Sequence, residues 1–187
     1  MNENYNEGKW YALQVRSRFE KVVGLHLRHK GFEEYVPVYR SRRQWSDRVK
    51  EIEKPLFPGY IFCKFDAMDR LPILIIPGVI SVVNFGGSPL AVDENEIFAV
   101  QSVVNSGLTY GPWPFMSAGT PIRVRYGPLR GLEGFVVEVK NSYQLIISVA
   151  LLARSVAVSI ERDSVEPISV NRIKMPANRV QSNLLMP

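Results

Sequence analysis

The stretch Lys54–Phe65 constrains the fold most, because a turn runs directly into a strand there. Pro58 fixes its own φ and pushes Phe57 towards an extended conformation, while Gly59 can adopt backbone angles that other residues resist. Side chains of the strand then alternate, with Tyr60, Phe62 and Lys64 on one face and Ile61, Cys63 and Phe65 on the other. The sequence therefore predicts a strand with two apolar faces, one of them aromatic.

The aromatic face of this strand has two interpretations. Tyr60 and Phe62, beside Phe57, are typical of a central strand that is buried on both sides. The same three side chains could instead line an apolar groove that accepts a partner. Periodicity alone leaves both interpretations open.

The composition indicates a globular cytoplasmic protein. The chain has 187 residues, enough for one domain or two small ones, and is 46% hydrophobic, so a core can form. The start, Met1–Gly8, is polar and acidic, which predicts no signal peptide. No apolar run approaches the roughly 18–20 residues of a membrane span. The single cysteine, Cys63, excludes an internal disulfide and is typical of a reducing compartment.

The net charge of +5 is distributed unevenly. Residues 9–50 carry eleven Lys and Arg against four acidic residues, whereas residues 93–118 carry acidic residues alone. A basic region of this kind predicts nucleic acid nearby, unless it is a chance excess on a solvated surface.

Residues 9–106 predict an α+β sandwich of the ferredoxin-like kind, with helices alternating with a mainly antiparallel sheet. The predicted helix starts are Ser17, in a capping box with Glu20, then Asp69, which is preferred over Asp66, and Asp93. Predicted strands cover residues 10–15, 33–37, 60–65, 79–85 and 89–92. Residues 39–54 predict a protruding hairpin, whose Arg42, Arg43 and Trp45 indicate either nucleic-acid contact or an ordinary exposed hairpin.

Residues 119–168 predict a small all-β barrel of the SH3-like kind. About five short strands are expected, over 122–126, 135–140, 144–151, 156–160 and 165–168. Residues 107–118 are interpreted as a linker, because Tyr110–Pro114 is rich in Gly and Pro and can form neither a helix nor a central strand. The polar, basic tail 169–187 is predicted to be disordered.

Two motifs in the right order carry a resemblance that covers Lys9 to about Ile168. Val124–Gly134 resembles the KOW motif. Lys9–Tyr11, Leu56–Tyr60 and Ile76–Val79 resemble the N-terminal domain of NusG-type transcription factors. The resemblance implies a NusG N-terminal domain joined to a KOW barrel.

The resemblance also implies a mechanism without catalysis or cofactors. An apolar cavity would dock on the clamp helices of bacterial RNA polymerase and suppress pausing; its residues would be Tyr11, Phe57, Pro58, Tyr60 and Phe62. The residues bordering the non-template DNA strand would be Arg16, Arg18, Lys21 and Arg70. The KOW residues that recruit termination factor Rho or a small-subunit ribosomal protein would be Leu151, Leu152 and Arg154.

Some details resemble the specialised paralogues, RfaH and its relatives, which prevent termination within particular operons. These are Gly86–Pro89 and Lys54–Leu56. In the KOW loop, Leu152 and Ala153 stand where housekeeping members carry Phe and Gly, which argues against Rho binding. We therefore expect antitermination on a subset of operons.

Three alternatives compete with this hypothesis. The first is a housekeeping NusG that acts with Rho, and the second is a ribosome-associated KOW protein that binds RNA. Residues 119–168 carry six Lys and Arg against five acidic residues, too weak a positive charge for the second. The third is an enzyme, but no phosphate-binding loop or activated nucleophile is visible, and His26 and His29 lack further metal ligands.

In at least one specialised relative the KOW segment can refold as a helical hairpin over the polymerase cavity. Here the β-branched runs Phe135–Val139 and Val156–Ile160 favour a stable barrel, although Leu145–Arg154 could form a helix. A barrel is expected to leave the groove around Phe57 open, so that polymerase binding needs no release step.

Overall fold

A computed structural model describes residues 8–45, 49–115, 119–139 and 142–168. The helices are α1 (Glu20–His29), α2 (Leu71–Leu74) and α3 (Glu94–Asn105). The first eight strands are β1 (Lys9–Val15), β2 (Glu33–Tyr35), β3 (Val38–Gln44), β4 (Val49–Pro55), β5 (Tyr60–Phe65), β6 (Val79–Val82), β7 (Asn84–Phe85) and β8 (Ser88–Pro89). The last six are β9 (Tyr110–Trp113), β10 (Thr120–Val124), β11 (Glu133–Val139), β12 (Ser142–Val149), β13 (Arg154–Ile160) and β14 (Val165–Pro167). The predicted α+β class is confirmed, and the predicted tail lies outside the described residues.

The first sheet has the order β2-β5-β1-β6, with β1 antiparallel to both of its neighbours. Tyr11 opposes Cys63 and Leu13 opposes Val82, so alternate side chains of adjacent strands share a face. One face is covered by α1 and α2. Its core consists of Tyr11, Leu13, Val15, Val23, Leu27, Ile61, Cys63, Phe65, Ile73, Ile76 and Val82.

The other face of this sheet carries Trp10, Ala12 and Phe62. These side chains share an apolar cluster with Leu56, Phe57 and the buried side of α3, namely Ile97, Val100 and Val103. Both faces of β5 are therefore buried, as a central strand requires.

The predicted helix starts were right at one position and wrong at two. Asp93 caps α3, and its Oδ1 accepts a hydrogen bond of 2.8 Å from the Asn95 amide. Asp66, instead of Asp69, caps the turn that precedes α2, accepting from the Met68 amide at 2.9 Å.

The predicted capping box at Ser17 is absent, since α1 begins without a side-chain cap. The carboxylate of Glu20 instead accepts a hydrogen bond of 2.9 Å from the amide of Gly59, and Glu20 is only 4% exposed. A charged acceptor for a peptide N–H is a strong hydrogen bond, so Glu20 ties the start of α1 to the turn before β5.

The predicted hairpin over residues 39–54 is confirmed as a separate two-stranded sheet, although its residues 46–48 lie outside the description. Arg40 opposes Glu53 and Arg42 opposes Glu51. Arg40 and Arg42 therefore each lie opposite an acidic residue, and cross-strand pairs of opposite charge stabilise such a hairpin.

The second sheet has the order β14-β10-β11-β12-β13-β9, with every pair antiparallel. The five predicted strands are confirmed as β10 to β14; the assignment of this unit to the KOW class stays a prediction. A sixth strand, β9, comes from the predicted linker. It pairs with β13 at the edge of the sheet. An edge strand tolerates Pro112, which has no amide N–H to donate to a neighbouring strand.

We call β1–β8 with α1–α3 the N-terminal unit and β9–β14 the C-terminal unit. In the C-terminal unit Leu145–Val149 belongs to β12, and only Ala150–Leu152 forms a short 3-10 turn. The helical alternative for this segment is therefore not adopted. Within the described ranges, no helix is long and apolar enough to cross a membrane.

Candidate functional site

The aromatic face consists of Phe57, Tyr60 and Phe62. The rings of Phe57 and Phe62 meet edge to face, with 5.5 Å between centroids and 85° between planes. The ring of Tyr35 stacks on that of Phe62, with 6.3 Å between the ring centroids. Such pairs contribute beyond the area they bury, so the face is a rigid apolar platform.

The turn before β5 positions this platform. Gly59 adopts a φ of +80°, which favours glycine, and the amide of Tyr60 donates to the carbonyl of Phe57 at 3.0 Å. The carbonyl of Gly59 accepts from Val15 at 2.9 Å, while its amide donates to Glu20. The turn is thereby bonded to β1 and to α1 at once.

The five predicted polymerase-binding residues do not share one surface. Phe57 and Phe62 are buried side by side, Tyr60 is half-buried against the same cluster, and Pro58 is exposed. Tyr11 lies on the opposite face of the sheet, where its ring packs 4.7 Å from that of Phe65. Placing Tyr11 in the groove was therefore wrong.

Trp10 takes the place that sequence reasoning gave to Tyr11. It is 6% exposed and lies in the same cluster as Phe57 and Phe62. The signal was present in the sequence, because strict alternation along β1 separates Trp10 and Ala12 from Tyr11 and Leu13.

The expectation of an open groove around Phe57 is also wrong. Phe57 is 1% exposed and Phe62 is fully buried, and their cluster continues into the C-terminal unit through Leu145, Val149 and Val156, among others. The physical reason is apolar area: two units with facing apolar surfaces remove them from water by packing together. This face is therefore buried in a cluster that includes α3 and a β-structured C-terminal unit.

Hydrogen bonds between described residues join the units. The hydroxyl of Tyr110 in β9 donates to the carbonyl of Val38 at 2.8 Å. The amide of Ala150, just after β12, donates to Glu96 Oε1 on α3 at 3.3 Å. Burial raises the pKa of the Glu96 carboxyl from its usual 4.5 to about 7, against the opposing effect of the Ala150 amide.

A buried phenol lies beside this junction. Among the described residues, the hydroxyl of Tyr35 is the buried side-chain polar atom without a hydrogen-bond partner. Burial and the neighbouring Tyr110 raise the pKa of Tyr35, so its hydroxyl stays neutral. An unpaired buried hydroxyl costs about 1–3 kcal/mol, which opposes the packing around it.

The predicted nucleic-acid residues lie at two places in the N-terminal unit. Arg16 and Arg18 precede α1, Arg70 precedes α2, and all three are exposed without an ion pair among the described residues. Lys21 differs, because its Nζ lies 2.6 Å from Glu53 Oε2 on β4. This pairing lowers the pKa of the Glu53 carboxyl. Arg16, Arg18 and Arg70 are therefore the predicted DNA-binding residues that have no ion pair among the described residues.

The predicted partner loop of the C-terminal unit follows β12. Leu152 is buried, Leu151 is half-buried and Arg154 is exposed. Between them Ala153 adopts a φ of +46°, a region that glycine enters at less cost. The loop therefore presents the exposed side chain of Arg154, while its two leucines pack in or against the apolar cluster.

Two features bear on the enzyme alternative: the state of the Cys63 thiol and the grouping of metal-binding side chains. Burial, with Glu34 and Glu33 nearby, raises the pKa of the Cys63 thiol to about 12, so it is protonated at neutral pH. In the described part of the chain, no three His, Cys, Asp or Glu side chains are grouped to hold a metal ion.

Comparison with known proteins agrees with this arrangement. The family model described as "Transcription termination factor nusG" matches residues 8–101, half of the chain. The chain belongs to the NusG family. The match spans the N-terminal unit that carries the aromatic face, and it stops before the C-terminal unit.

Curated relatives extend the similarity of this NusG-family chain over both units. The Transcription termination/antitermination protein NusG of Staphylococcus carnosus is 22% identical over 185 residues, which is 90% of this chain and 100% of the relative. The protein of the same name from Staphylococcus epidermidis shows the same identity and coverage. A solved structure described as "Domain interaction in Thermotoga maritima NusG" is 19% identical, with a TM-score of 0.51, and covers 87% of this chain and 98% of its own. This likeness supports the fold.

Proposed function

We propose that this NusG-family protein is a transcription elongation factor that binds bacterial RNA polymerase through the aromatic face and suppresses pausing. The observation that carries the proposal is the Phe57–Phe62 platform, an apolar surface inside the family-matched unit. Large aromatic side chains in a desolvated centre are the residues that commonly dominate a protein interface. The clamp helices of the polymerase are the proposed partner.

The covered aromatic face adds a step to this function. Because Phe57 and Phe62 share a buried cluster with residues of the C-terminal unit, we propose that the polymerase reaches them only after that unit moves away. We therefore propose that free and polymerase-bound protein differ in the contact between the units. The C-terminal loop around Arg154, freed in the same step, would recruit a small-subunit ribosomal protein or Rho.

We further propose that Arg16, Arg18 and Arg70 contact the exposed non-template DNA strand. Their exposure and their lack of acidic partners in the described residues support this, since unpaired cations are what phosphate groups attract. Lys21 is a weaker candidate because Glu53 already neutralises it.

Antitermination on a subset of operons is the finer proposal, and a housekeeping factor acting with Rho is the alternative. Leu152 and Ala153 stand where housekeeping members carry Phe and Gly, which supports a loop that does not bind Rho. A Rho-dependent termination assay separates the two. Antitermination predicts read-through on adding the protein, whereas the alternative predicts earlier termination.

The central test is binding of the full-length protein to core RNA polymerase. Tyr60→Ala removes a half-buried ring from the rim of the face and should weaken binding by about 2 kcal/mol, roughly thirtyfold. Tyr126→Ala, which removes an exposed ring from the C-terminal unit, is the matched control and should bind as the wild type.

Phe57→Ala should weaken binding further, but it also truncates a core side chain. Its thermal unfolding must therefore be measured alongside binding. Unchanged affinity in folded Tyr60→Ala and Phe57→Ala proteins would move the polymerase interface to another surface.

A further inference from the structure

Glu96 occupies an unusual position in the contact between the units. It lies in the first turn of α3, next to the capping residue Asp93, where the positive end of the helix dipole favours a charged carboxylate. Yet the side chain is half-buried against the C-terminal unit, and the amide of Ala150 is its hydrogen-bond partner across the contact.

The groups that face Glu96 supply no compensating charge. On α3, Asp93 is a second acid and disfavours ionisation, while Glu94 is exposed and directed to Lys64 of β5 at 3.7 Å. From the C-terminal unit the facing group is the neutral Ala150 amide. Within the described residues Glu96 takes part in no ion pair.

We propose that Glu96 is a proton-sensitive latch between the two units: its neutral form holds the C-terminal unit on the aromatic face, and its ionised form loosens that contact. Burying an unpaired carboxylate is costly, whereas a neutral carboxyl keeps an oxygen that can accept from Ala150. The latch concerns docking within this chain and does not depend on which partner binds the aromatic face.

The direction of the effect follows from linkage. In the docked form, burial raises the pKa of Glu96 from its usual 4.5 to about 7, and Asp93 adds to the shift. Because the C-terminal unit contributes to that burial, the docked form binds the proton more tightly than the undocked form. Docking is therefore strongest below the undocked pKa and weakens as the pH rises through the interval between the two values. Above the docked pKa it levels off at its weakest.

Nuclear magnetic resonance of the full-length protein tests the latch without any polymerase. The amides of Tyr110, Gly111, Trp113 and residues 150–153 report docking, and the carboxyl carbon of Glu96 reports its ionisation. We expect the docking equilibrium of the wild type to fall by at least about tenfold between about pH 5 and about pH 8. The carboxyl of Glu96 should titrate near neutral pH.

Glu96→Gln is the decisive variant, because its amide oxygen can accept from Ala150 and cannot ionise. It should stay docked across the same range, with docking independent of pH. Glu94→Gln, which neutralises an exposed carboxylate two residues away, is the control and should follow the wild type.

Two outcomes would overturn the latch. One is a wild-type protein whose docking does not change with pH, and the other is a Glu96→Gln variant that follows the wild-type pH curve. Thermal unfolding of each variant at both ends of the range separates undocking from loss of fold. If the Tyr60→Ala and Phe57→Ala variants bind polymerase as the wild type does, but docking depends on pH as expected, the proposed partner is rejected and the latch is supported.

Discussion

Two tyrosines lie close together at the junction between the units, but their hydroxyl groups differ in hydrogen bonding. The hydroxyl of Tyr110 donates to Val38, whereas the hydroxyl of Tyr35 is buried without a partner. Removing an oxygen should therefore have opposite effects at the two positions, because a made hydrogen bond stabilises and an unmade one costs free energy.

We predict that Tyr35→Phe raises the free energy of unfolding by about 1 kcal/mol, and that Tyr110→Phe lowers it by a similar amount. For a chain of this size the corresponding change in Tm is roughly 2–4 °C in each direction. Thermal unfolding of the full-length variants measures both. A loss of stability in Tyr35→Phe would show that its hydroxyl has a partner after all.

Glu20 illustrates what a local pattern can and cannot reveal about a residue. Ser17 and Glu20 have the spacing of a capping box, yet Glu20 accepts from Gly59, which is 39 positions away in sequence. The sequence shows that Glu20 needs a peptide N–H near a helix start. It cannot show that a distant turn offers a better one, because that depends on how the sheet brings the two together.

At the scale of elements, the loop between α2 and β6 is held by a glycine that packs against α1. Gly78 has a φ of +100°, and a Cβ placed there would lie 2.7 Å from Phe19 Cδ1 and 3.0 Å from Val23 Cγ2. Gly86, in the turn between β7 and β8, has a φ of +60° and open space around it. An alanine at either position would have an unfavourable positive φ. At Gly78 its methyl group would also clash with Phe19 and Val23.

We predict that Gly86→Ala lowers the free energy of unfolding by about 1 kcal/mol, the cost of a left-handed alanine. Gly78→Ala should cost a further 1–3 kcal/mol or so, because α1 must shift to admit the methyl group. Denaturant unfolding of the two variants provides the comparison. Equal losses would mean that Phe19 and Val23 adapt freely.

The elements of both units could be predicted in kind because their signals are local. Alternation identified β5 and its two faces, and the β-branched runs identified β11 and β13. β9 was missed because Gly111 and Pro112 have low strand propensity. Its pairing comes from the exposed edge of β13, which only the folded sheet provides.

At the scale of the whole molecule, the aromatic face could be predicted but its cover could not. The sequence shows that Phe57 and Phe62 are apolar on a strand whose other face is also apolar, so something must cover them. Apolar packing is non-directional, so composition does not say whether a partner or the chain's own C-terminal unit covers these side chains.

Nucleic-acid contact by the whole molecule should depend on its unpaired cations. Replacing Arg16, Arg18 and Arg70 by Ala should reduce pause suppression and its sensitivity to salt, because each phosphate contact releases counterions. Lys21→Ala is a matched control, since its charge is already paired with Glu53. Transcription assays over a range of salt concentrations measure the effect, and binding to free polymerase should be unchanged. A collapse of that binding would assign these arginines to the protein interface.

The central place of β1 also governs the order in which the molecule can be made. β1 is the first strand to be synthesised, yet its partners are β5 and β6, and β6 ends at Val82, 73 residues (82 − 9) after Lys9. At roughly 5–20 residues per second, a ribosome needs about 4 to 15 seconds to add that length. Until then the sheet around Trp10, Leu13 and Val15 is incomplete, so the newborn chain exposes apolar side chains that the folded protein buries. Co-translational chaperones therefore have long access to β1 before its partner strands are made.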